Sequence, residues 1–124
     1  MVDQDVIRQF VRDVGHERAV DLAGLYIDET RDHLNVANEL IDSDETRVPD
    51  WRRLARVAHS MKSAAGTYGL SRLGRLAETM EKAGRDENAA VYQDVLEILS
   101  GEAEKHFRAL ISAIDSAGNS QKNS

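Results

Sequence analysis

Apolar residues recur every three or four positions through long segments of this 124-residue chain, and that spacing predicts amphipathic α-helices. Residues 50–70 show the pattern most clearly, because their apolar side chains fall on one stripe of a helix: Leu54, Val57, Ala58, Met61, Ala65 and Tyr68. A helix with a single apolar stripe buries that stripe against other elements. The chain therefore needs further helices that pack around this one.

Two helices are predicted before this segment. The first is short, with Asp3 or Asp5 as its N-cap, and it ends at Gly15. The second spans about residues 17–42, and its predicted buried stripe consists of Ala19, Ala23, Tyr26, Ile27, Thr30, Leu34, Ala37 and Ile41. A polar connection at residues 43–48 follows the second helix, so the chain is expected to reverse its direction there.

The ends of the third helix follow from its flanking residues. Proline suits the first turn of a helix, and an acidic side chain is favourable at the positive end of the helix dipole. Pro49 and Asp50 therefore predict the start of the third helix. Glycine can adopt the left-handed conformation that ends a helix, so Gly66 and Gly69 predict its end.

Two further helices complete the pattern. Ser71 is predicted to cap the fourth helix, which ends at Gly84 and has an apolar side made of Leu70, Leu73, Leu76, Ala77 and Met80. Asp86 or Asn88 is predicted to cap the fifth helix, which runs to about Ala117. Its predicted buried stripe consists of Val91, Val95, Ile98, Leu99, Ala103, Phe107, Leu110 and Ile114.

Four long amphipathic helices joined by short links bury their stripes best as an antiparallel bundle. The sequence therefore predicts an all-α fold, an antiparallel four-helix bundle with a short additional N-terminal helix across one end. We expect a single monomeric domain at residues 1–117 and a frayed polar C-terminal tail at residues 118–124.

Composition narrows the functional class. The chain contains no cysteine, which excludes disulfides and thiolate chemistry. It has no apolar run of membrane-spanning length and no charged-then-apolar leader, so we expect a cytoplasmic protein that does not bind a membrane.

Charge is distributed unevenly along the chain, whose net charge is −6. Residues 50–85 carry three acidic and eight basic side chains, a local charge of +5 that leaves −11 for the remainder. A basic patch on an acidic body steers acidic partners to one surface. Because the net negative charge repels a polyanion, we expect an acidic protein partner and no nucleic acid.

His59 points away from the apolar stripe of the third helix. Its neighbours on that outer face are small or basic: Arg52, Ala55, Arg56, Lys62, Ser63 and Gly66. Small neighbours leave the imidazole accessible, and the cations can offer charge-assisted hydrogen bonds to an anion. Histidine with an ordinary pKa of about 6.5 is mostly neutral at neutral pH, so a ring nitrogen can attack phosphorus. The arrangement therefore suits phosphate chemistry.

The motif AHSMKSAAGTYGL around this histidine resembles the active-site signature of histidine-containing phosphotransfer (HPt) domains, including the phosphoacceptor domains of chemotaxis histidine kinases. The matching residues are His59, Met61, Lys62, Ala64, Ala65, Gly66, Thr67, Tyr68 and Gly69. Ser63 departs from the pattern, because the family usually has glycine directly after the lysine. Serine is small, and its hydroxyl can donate a hydrogen bond to a phosphoryl oxygen. The five-helix layout extends the resemblance over nearly the whole chain.

The resemblance implies a phosphocarrier whose histidine takes a phosphoryl group from a kinase or an aspartyl phosphate and passes it to a receiver aspartate. It implies that Glu81, on the following helix, hydrogen-bonds and orients His59. The expected catalytic residues are therefore His59, Lys62 and Glu81. The expected partners are a response-regulator receiver domain, a sensor histidine kinase, or both, and they would contact Arg52, Ala55, Arg56, Ser63 and Gly66.

The sequence shows no phosphate-cradling glycine loop with lysine and no cluster of metal ligands. His16, His33 and His106 lie on different segments without ligand spacing. We therefore expect a carrier without a kinase site, without a cofactor and without a metal of its own, with magnesium supplied only by the acidic pocket of a partner receiver. Trp51, at the edge of the apolar stripe, is interpreted as a packing residue.

Two alternatives stay open at this point. The nearest alternative is the phosphoacceptor domain of a larger chemotaxis-type histidine kinase, which would use the same chemistry. A helical adaptor that binds an acidic protein without being phosphorylated is the second alternative. The sequence does not identify the donor, the acceptor or the direction of transfer.

Overall fold

The computed structural model describes residues 2–41 and 48–122, and within these ranges the chain forms five helices and no β-strand. They are α1 (Gln4–Val14), α2 (His16–Ile41), α3 (Trp51–Thr67), α4 (Ser71–Arg85) and α5 (Ala89–Lys122). In the bundle, α3 packs against α2 and α4, α5 packs against α2 and α4, and α1 packs against α2 and α5. The predicted all-α bundle with an additional N-terminal helix is confirmed.

The core consists of the apolar stripes of these helices. All eight predicted residues of α2 are buried, and five of the six predicted for α3 are buried. The sixth, Tyr68, is half-buried: its ring stacks on Tyr26 at 4.5 Å between centroids, and its hydroxyl donates to the carbonyl of Leu22 at 3.3 Å. The stripes therefore fix which side of α3 faces solvent.

Acidic side chains cap α1 and α3. Asp3 accepts hydrogen bonds from the backbone amides of Asp5 and Val6, and Gly15 ends α1 with a φ of 87°. Asp50 caps α3 by accepting from the amide of Arg53 at 3.1 Å. Pro49 and Asp50 do mark the start of α3, but Pro49 is not in its first turn: Asp50 occupies the N-cap, and Trp51, two positions after Pro49, is the first helical residue.

The turn between α3 and α4 uses Gly69, whose φ of 66° favours glycine. Its carbonyl accepts from the amide of Asp3 at 2.8 Å, which ties the start of α1 to this turn. The prediction that Ser71 caps α4 is wrong. Buried Leu70 is at the N-cap without a side-chain hydrogen bond, and Ser71 is the first helical residue.

Gly84 was predicted to end α4, but the helix continues through Arg85, and it is Glu87 that adopts a positive φ, of 53°. Gly84 is instead a packing residue. A Cβ atom placed on it would lie 3.1 Å from the backbone of Ala55. The missing side chain therefore lets the last turn of α4 approach α3 closely, and this approach shapes the site described below.

The predicted stripe of α5 is partly wrong. Val91 and Ile98 are 38% and 44% exposed, whereas their neighbours Tyr92 and Leu99 are fully buried. The register is set by Tyr92, whose hydroxyl donates to the carbonyl of Leu54 at 2.9 Å and thereby turns Val91 outward. Asn88 accepts from the amide of Val91, as expected of a cap.

Helix α5 also extends through Lys122, beyond its predicted end near Ala117. Packing against the start of α2 accounts for the extra length: Gly118 lies directly against the ring of His16, and Asp115 accepts from His16 Nε2 at 2.9 Å. The predicted connection at residues 43–48 lies outside the described residues except for Val48, which is exposed. None of the described helices is both long and apolar enough to cross a membrane.

Candidate functional site

His59 lies in the middle of α3, one residue after buried Ala58 and two before buried Met61. Because those two neighbours point into the core, the imidazole points outward, and its side chain is 56% exposed. The structure therefore places the ring where another protein can reach it, as the sequence predicts.

The acidic neighbour of this ring is Glu81 on α4. The family resemblance identified this residue, but the sequence could not predict how deeply its side chain is buried. Its side chain is only 4% exposed, because it lies between buried Met80 and buried Ala83 at the interface with α3. Glu81 Oε1 and Oε2 lie 2.9 Å and 3.2 Å from His59 Nδ1. An ionised carboxylate can only accept, so Nδ1 carries the proton and Nε2 keeps its lone pair.

Two cations hold Glu81 in its ionised form. Burial alone would raise the pKa of this carboxyl, but the hydrogen bond from His59 and the charges of Arg85 and Lys62 outweigh burial, and the pKa is lowered. Arg85 Nη2 lies 3.0 Å from Oε2, and Lys62 Nζ lies 3.7 Å from Oε1. The structure thus brings His59, Lys62 and Glu81 together and adds Arg85.

Beside His59 is a surface groove of about 500 Å³ between α3 and the end of α4. Three of the predicted partner-binding residues line it: Arg52, Ala55 and Arg56. The other two, Ser63 and Gly66, do not line the groove; both are exposed and continue the His59 side of α3 toward its C-terminus. Gly66 faces open space.

Four residues that line this groove were not predicted as site residues: Trp51, Gly84, Arg85 and Glu87. Gly84 was interpreted as a helix end, although a buried glycine in a helix can also mark a close contact. Arg85 follows Glu81 by four residues, a spacing that places two side chains on the same helix face and could have identified it. Trp51 contacts the ring of Tyr92 edge-on at 6.3 Å between centroids, as a packing residue does, and also lines the groove.

The remaining histidines stay apart from this site. His16 contacts Asp115, and buried His106 contacts Glu102 at 3.3 Å. Across the part of the chain that the structure describes, no three His, Cys, Asp or Glu side chains are grouped so that they could hold a metal ion.

Comparison with known proteins agrees with this geometry. The family model described as "Hpt domain" matches residues 21–117, which include every residue of the site. The chain belongs to the Hpt domain family. It is therefore a histidine phosphotransfer module of the kind used in two-component signalling, and Hpt domains are phosphocarriers rather than kinases.

One curated relative of this Hpt domain is the chemotaxis protein CheA of Bacillus subtilis (strain 168), which is 30% identical over 104 residues. The match covers 79% of this chain but only 15% of the length of CheA. No solved structure matches the chain significantly. The predicted family and its chemotaxis-type similarity are confirmed.

Proposed function

We propose that this domain carries a phosphoryl group on Nε2 of His59, between a sensor kinase or a phosphorylated receiver and a second response-regulator receiver. The observation that carries the proposal is the pairing of an exposed ring with a buried carboxylate on its Nδ1. The hydrogen bond leaves Nε2 as the nucleophilic atom of a side chain that is more than half exposed.

The transfer step balances without a further reactant. The lone pair of Nε2 attacks the phosphorus of an aspartyl phosphate, the N–P bond forms, and the P–O bond breaks to release the receiver carboxylate. The ring keeps its Nδ1 proton and becomes positively charged. Glu81 stabilises that charge through the 2.9 Å hydrogen bond. The reverse sequence of bonds passes the phosphoryl group to the next aspartate.

Lys62 and Arg56 are positioned to neutralise the phosphoryl oxygens. The Lys62 side chain is 40% exposed and its Nζ lies 3.7 Å from Glu81 Oε1, and Arg56 shares the groove with His59. Charge-assisted hydrogen bonds of this type contribute on the order of 1.5–3 kcal/mol when well formed, and less where water screens them. Any magnesium would come with the acidic pocket of the receiver, so the domain itself needs no cofactor.

We propose that the receiver docks over His59 and contacts Arg52, Ala55, Arg56, Ser63 and Gly66. The local charge of +5 in residues 50–85 favours an acidic partner surface. We place this exchange in the cytoplasm, with the domain acting as a monomer.

A second candidate is the phosphoacceptor domain of a chemotaxis-type histidine kinase, which the similarity to CheA favours. The chemistry at His59 is the same in both cases. The difference lies in where the kinase domain is: in this candidate the donor is a kinase domain of the same protein, whereas the carrier takes its phosphoryl group from a separate sensor kinase or from a phosphorylated receiver.

Direct phosphorylation of the full chain tests the proposal. We expect phosphoramidate, a small phosphoryl donor, to add one phosphoryl group that acid removes and alkali does not. His59→Gln should abolish the labelling, whereas the control His33→Gln, on α2, should leave it unchanged. Intact mass and peptide mapping provide the measurement. Labelling that survives His59→Gln unchanged would refute the site.

A transfer assay then separates the candidates. The labelled domain is mixed with a panel of receiver domains, and the unlabelled domain with ATP and a chemotaxis-type kinase domain. Transfer to receivers without labelling by the chemotaxis-type kinase domain supports the carrier, whereas selective labelling by that kinase domain supports the second candidate. If the domain is never labelled and His59→Ala does not weaken partner binding, the adaptor is favoured and both phosphotransfer candidates are rejected.

A further inference from the structure

Glu81 is a carboxylate that has lost nearly all contact with water, and it needs compensation for its charge. The titratable or charged groups that act on it are His59 and Lys62 from α3 and Arg85 from its own helix. Oε1 lies nearest His59 and Lys62, whereas Oε2 contacts Arg85 and also lies 3.2 Å from His59 Nδ1.

These three neighbours do not compensate the negative charge of Glu81 equally. His59 must be neutral to attack phosphorus, and a neutral imidazole supplies a hydrogen bond but no opposite charge. Lys62 Nζ, at 3.7 Å, is beyond hydrogen-bond distance, whereas Arg85 Nη2, at 3.0 Å, is within it. In the nucleophilic state, Arg85 is therefore the cation in direct contact with the buried charge.

The position of the Glu81 carboxylate decides which ring nitrogen of His59 is nucleophilic. With a carboxylate oxygen against Nδ1, the neutral ring keeps its proton on Nδ1 and its lone pair on Nε2. If the carboxylate moves away from Nδ1, the neutral ring loses this preference and can carry its proton on Nε2. That tautomer has no lone pair on Nε2 and cannot form the N–P bond there.

We propose that Arg85 is a positioning residue for phosphotransfer, which holds the buried Glu81 carboxylate against Nδ1 and thereby keeps His59 in the tautomer with a free Nε2. This inference rests on the proposed function of His59. The fold places Arg85 where it can act in this way, because the close approach of Gly84 to Ala55 brings the last turn of α4 against α3. Arg85 lowers the pKa of Glu81, in agreement with this role.

The tautomer of His59 can be measured in the unphosphorylated full chain by nitrogen NMR of the imidazole over a pH series. In the part of the series where the imidazole is neutral, we expect the wild type to keep Nδ1–H and Arg85→Gln to populate Nε2–H in part. Labelling by phosphoramidate should slow by roughly threefold to tenfold, as for the loss of one partly exposed charge-assisted hydrogen bond. Arg85→Lys should restore much of both properties.

Arg75→Gln is the matched control, because it removes the same charge from an exposed position on α4 without a contact to Glu81. An unchanged tautomer in Arg85→Gln, or an equal effect of Arg75→Gln, would overturn the role of Arg85. A wild-type chain that is never labelled at His59 would instead reject the proposed function, since the tautomer is read without phosphorylation.

Discussion

At the scale of single residues, the candidate chemistry depends on the contrast between His59 and Glu81. The imidazole is more than half exposed, whereas the carboxylate that hydrogen-bonds it is 4% exposed. An electrostatic interaction is stronger away from water, so a buried carboxylate orients and stabilises an imidazolium better than an exposed one. The phosphoryl group would thus be held on Nε2, while the positive charge of the phosphorylated ring is balanced at Nδ1 by the buried carboxylate.

Replacement of Glu81 by glutamine tests this contrast. Glu81→Gln keeps the shape but removes the charge that stabilises the positively charged phosphorylated ring. We expect labelling by phosphoramidate to slow by roughly tenfold to a hundredfold, as for the loss of a hydrogen-bond acceptor that orients a functional histidine. Initial rates by intact mass provide the measurement. Glu78→Gln, an exposed change one turn earlier, is the control, and equal rates for wild type and Glu81→Gln would contradict the role.

The same variant has a second readout in acid. The folded state lowers the pKa of Glu81 below its ordinary value of 4.5, so its charge stabilises the fold above that pH. That stability is lost as the pH falls through the lowered folded pKa. We expect urea unfolding to show a gap between wild type and Glu81→Gln at neutral pH that closes in acid; a gap independent of pH would contradict the assigned ionisation.

The residues of the site could be predicted from sequence only in part. The helical stripe places His59 outward, and the motif resemblance identifies Lys62 and Glu81. The burial of Glu81 could not be predicted, because it depends on how closely α4 approaches α3. The contact of Arg85 was missed for the same reason: its spacing from Glu81 was visible, but the depth of the carboxylate was not.

At the scale of elements, the site depends on the interface between α3 and α4. Gly84 permits this approach, since any Cβ at that position would meet the backbone of Ala55 at 3.1 Å. Backbone atoms cannot move aside as a flexible side chain can. The helices would therefore have to separate, and the separation would carry Arg85 and Glu81 away from His59.

Gly84→Val tests this interface. We expect a loss of about 1–3 kcal/mol in the free energy of unfolding, typical of overpacking at a tight contact, together with slower labelling of His59. Gly101→Val is the matched control, because Gly101 is also helical but faces open space on α5. Urea unfolding compares the two. Equal stability of the two variants would show that the helices do not need this close contact.

Helix boundaries show where sequence reasoning reaches its limit at this scale. The stripe of α2 is predicted residue by residue, because every position in it faces the same core. The stripe of α5 is not, because the hydroxyl of Tyr92 bonds to Leu54 on α3 and sets a register that local spacing does not contain. Its C-terminal extension likewise depends on the packing of Gly118 against His16 at the start of α2.

At the scale of the whole molecule, the exposed face of α3 is the surface proposed for docking. Helices α3 and α5 both pack against α2 and α4. The basic residues near His59 and the small residues Ser63 and Gly66 extend along the outward side of α3. A receiver that reaches His59 must cover part of this side, whereas a small phosphoryl donor need not.

Gly66→Gln should therefore separate docking from chemistry. Gly66 faces open space, so we expect the larger side chain to leave folding and phosphoramidate labelling unchanged while transfer to a receiver slows by roughly tenfold or more. Gly101→Gln, a matched change in open space on α5, should leave both unchanged. Stopped transfer reactions resolved by gel provide the rates. Receiver transfer at the wild-type rate in Gly66→Gln would place the docking surface elsewhere.

The central claim, that phosphorus is held on Nε2 of His59, is tested most directly by a heteronuclear NMR spectrum that correlates imidazole nitrogens with phosphorus in the phosphorylated chain. The account predicts a coupling between phosphorus and Nε2 of His59, with a proton retained on Nδ1. A coupling to Nδ1, or to a nitrogen of any other histidine, would contradict it.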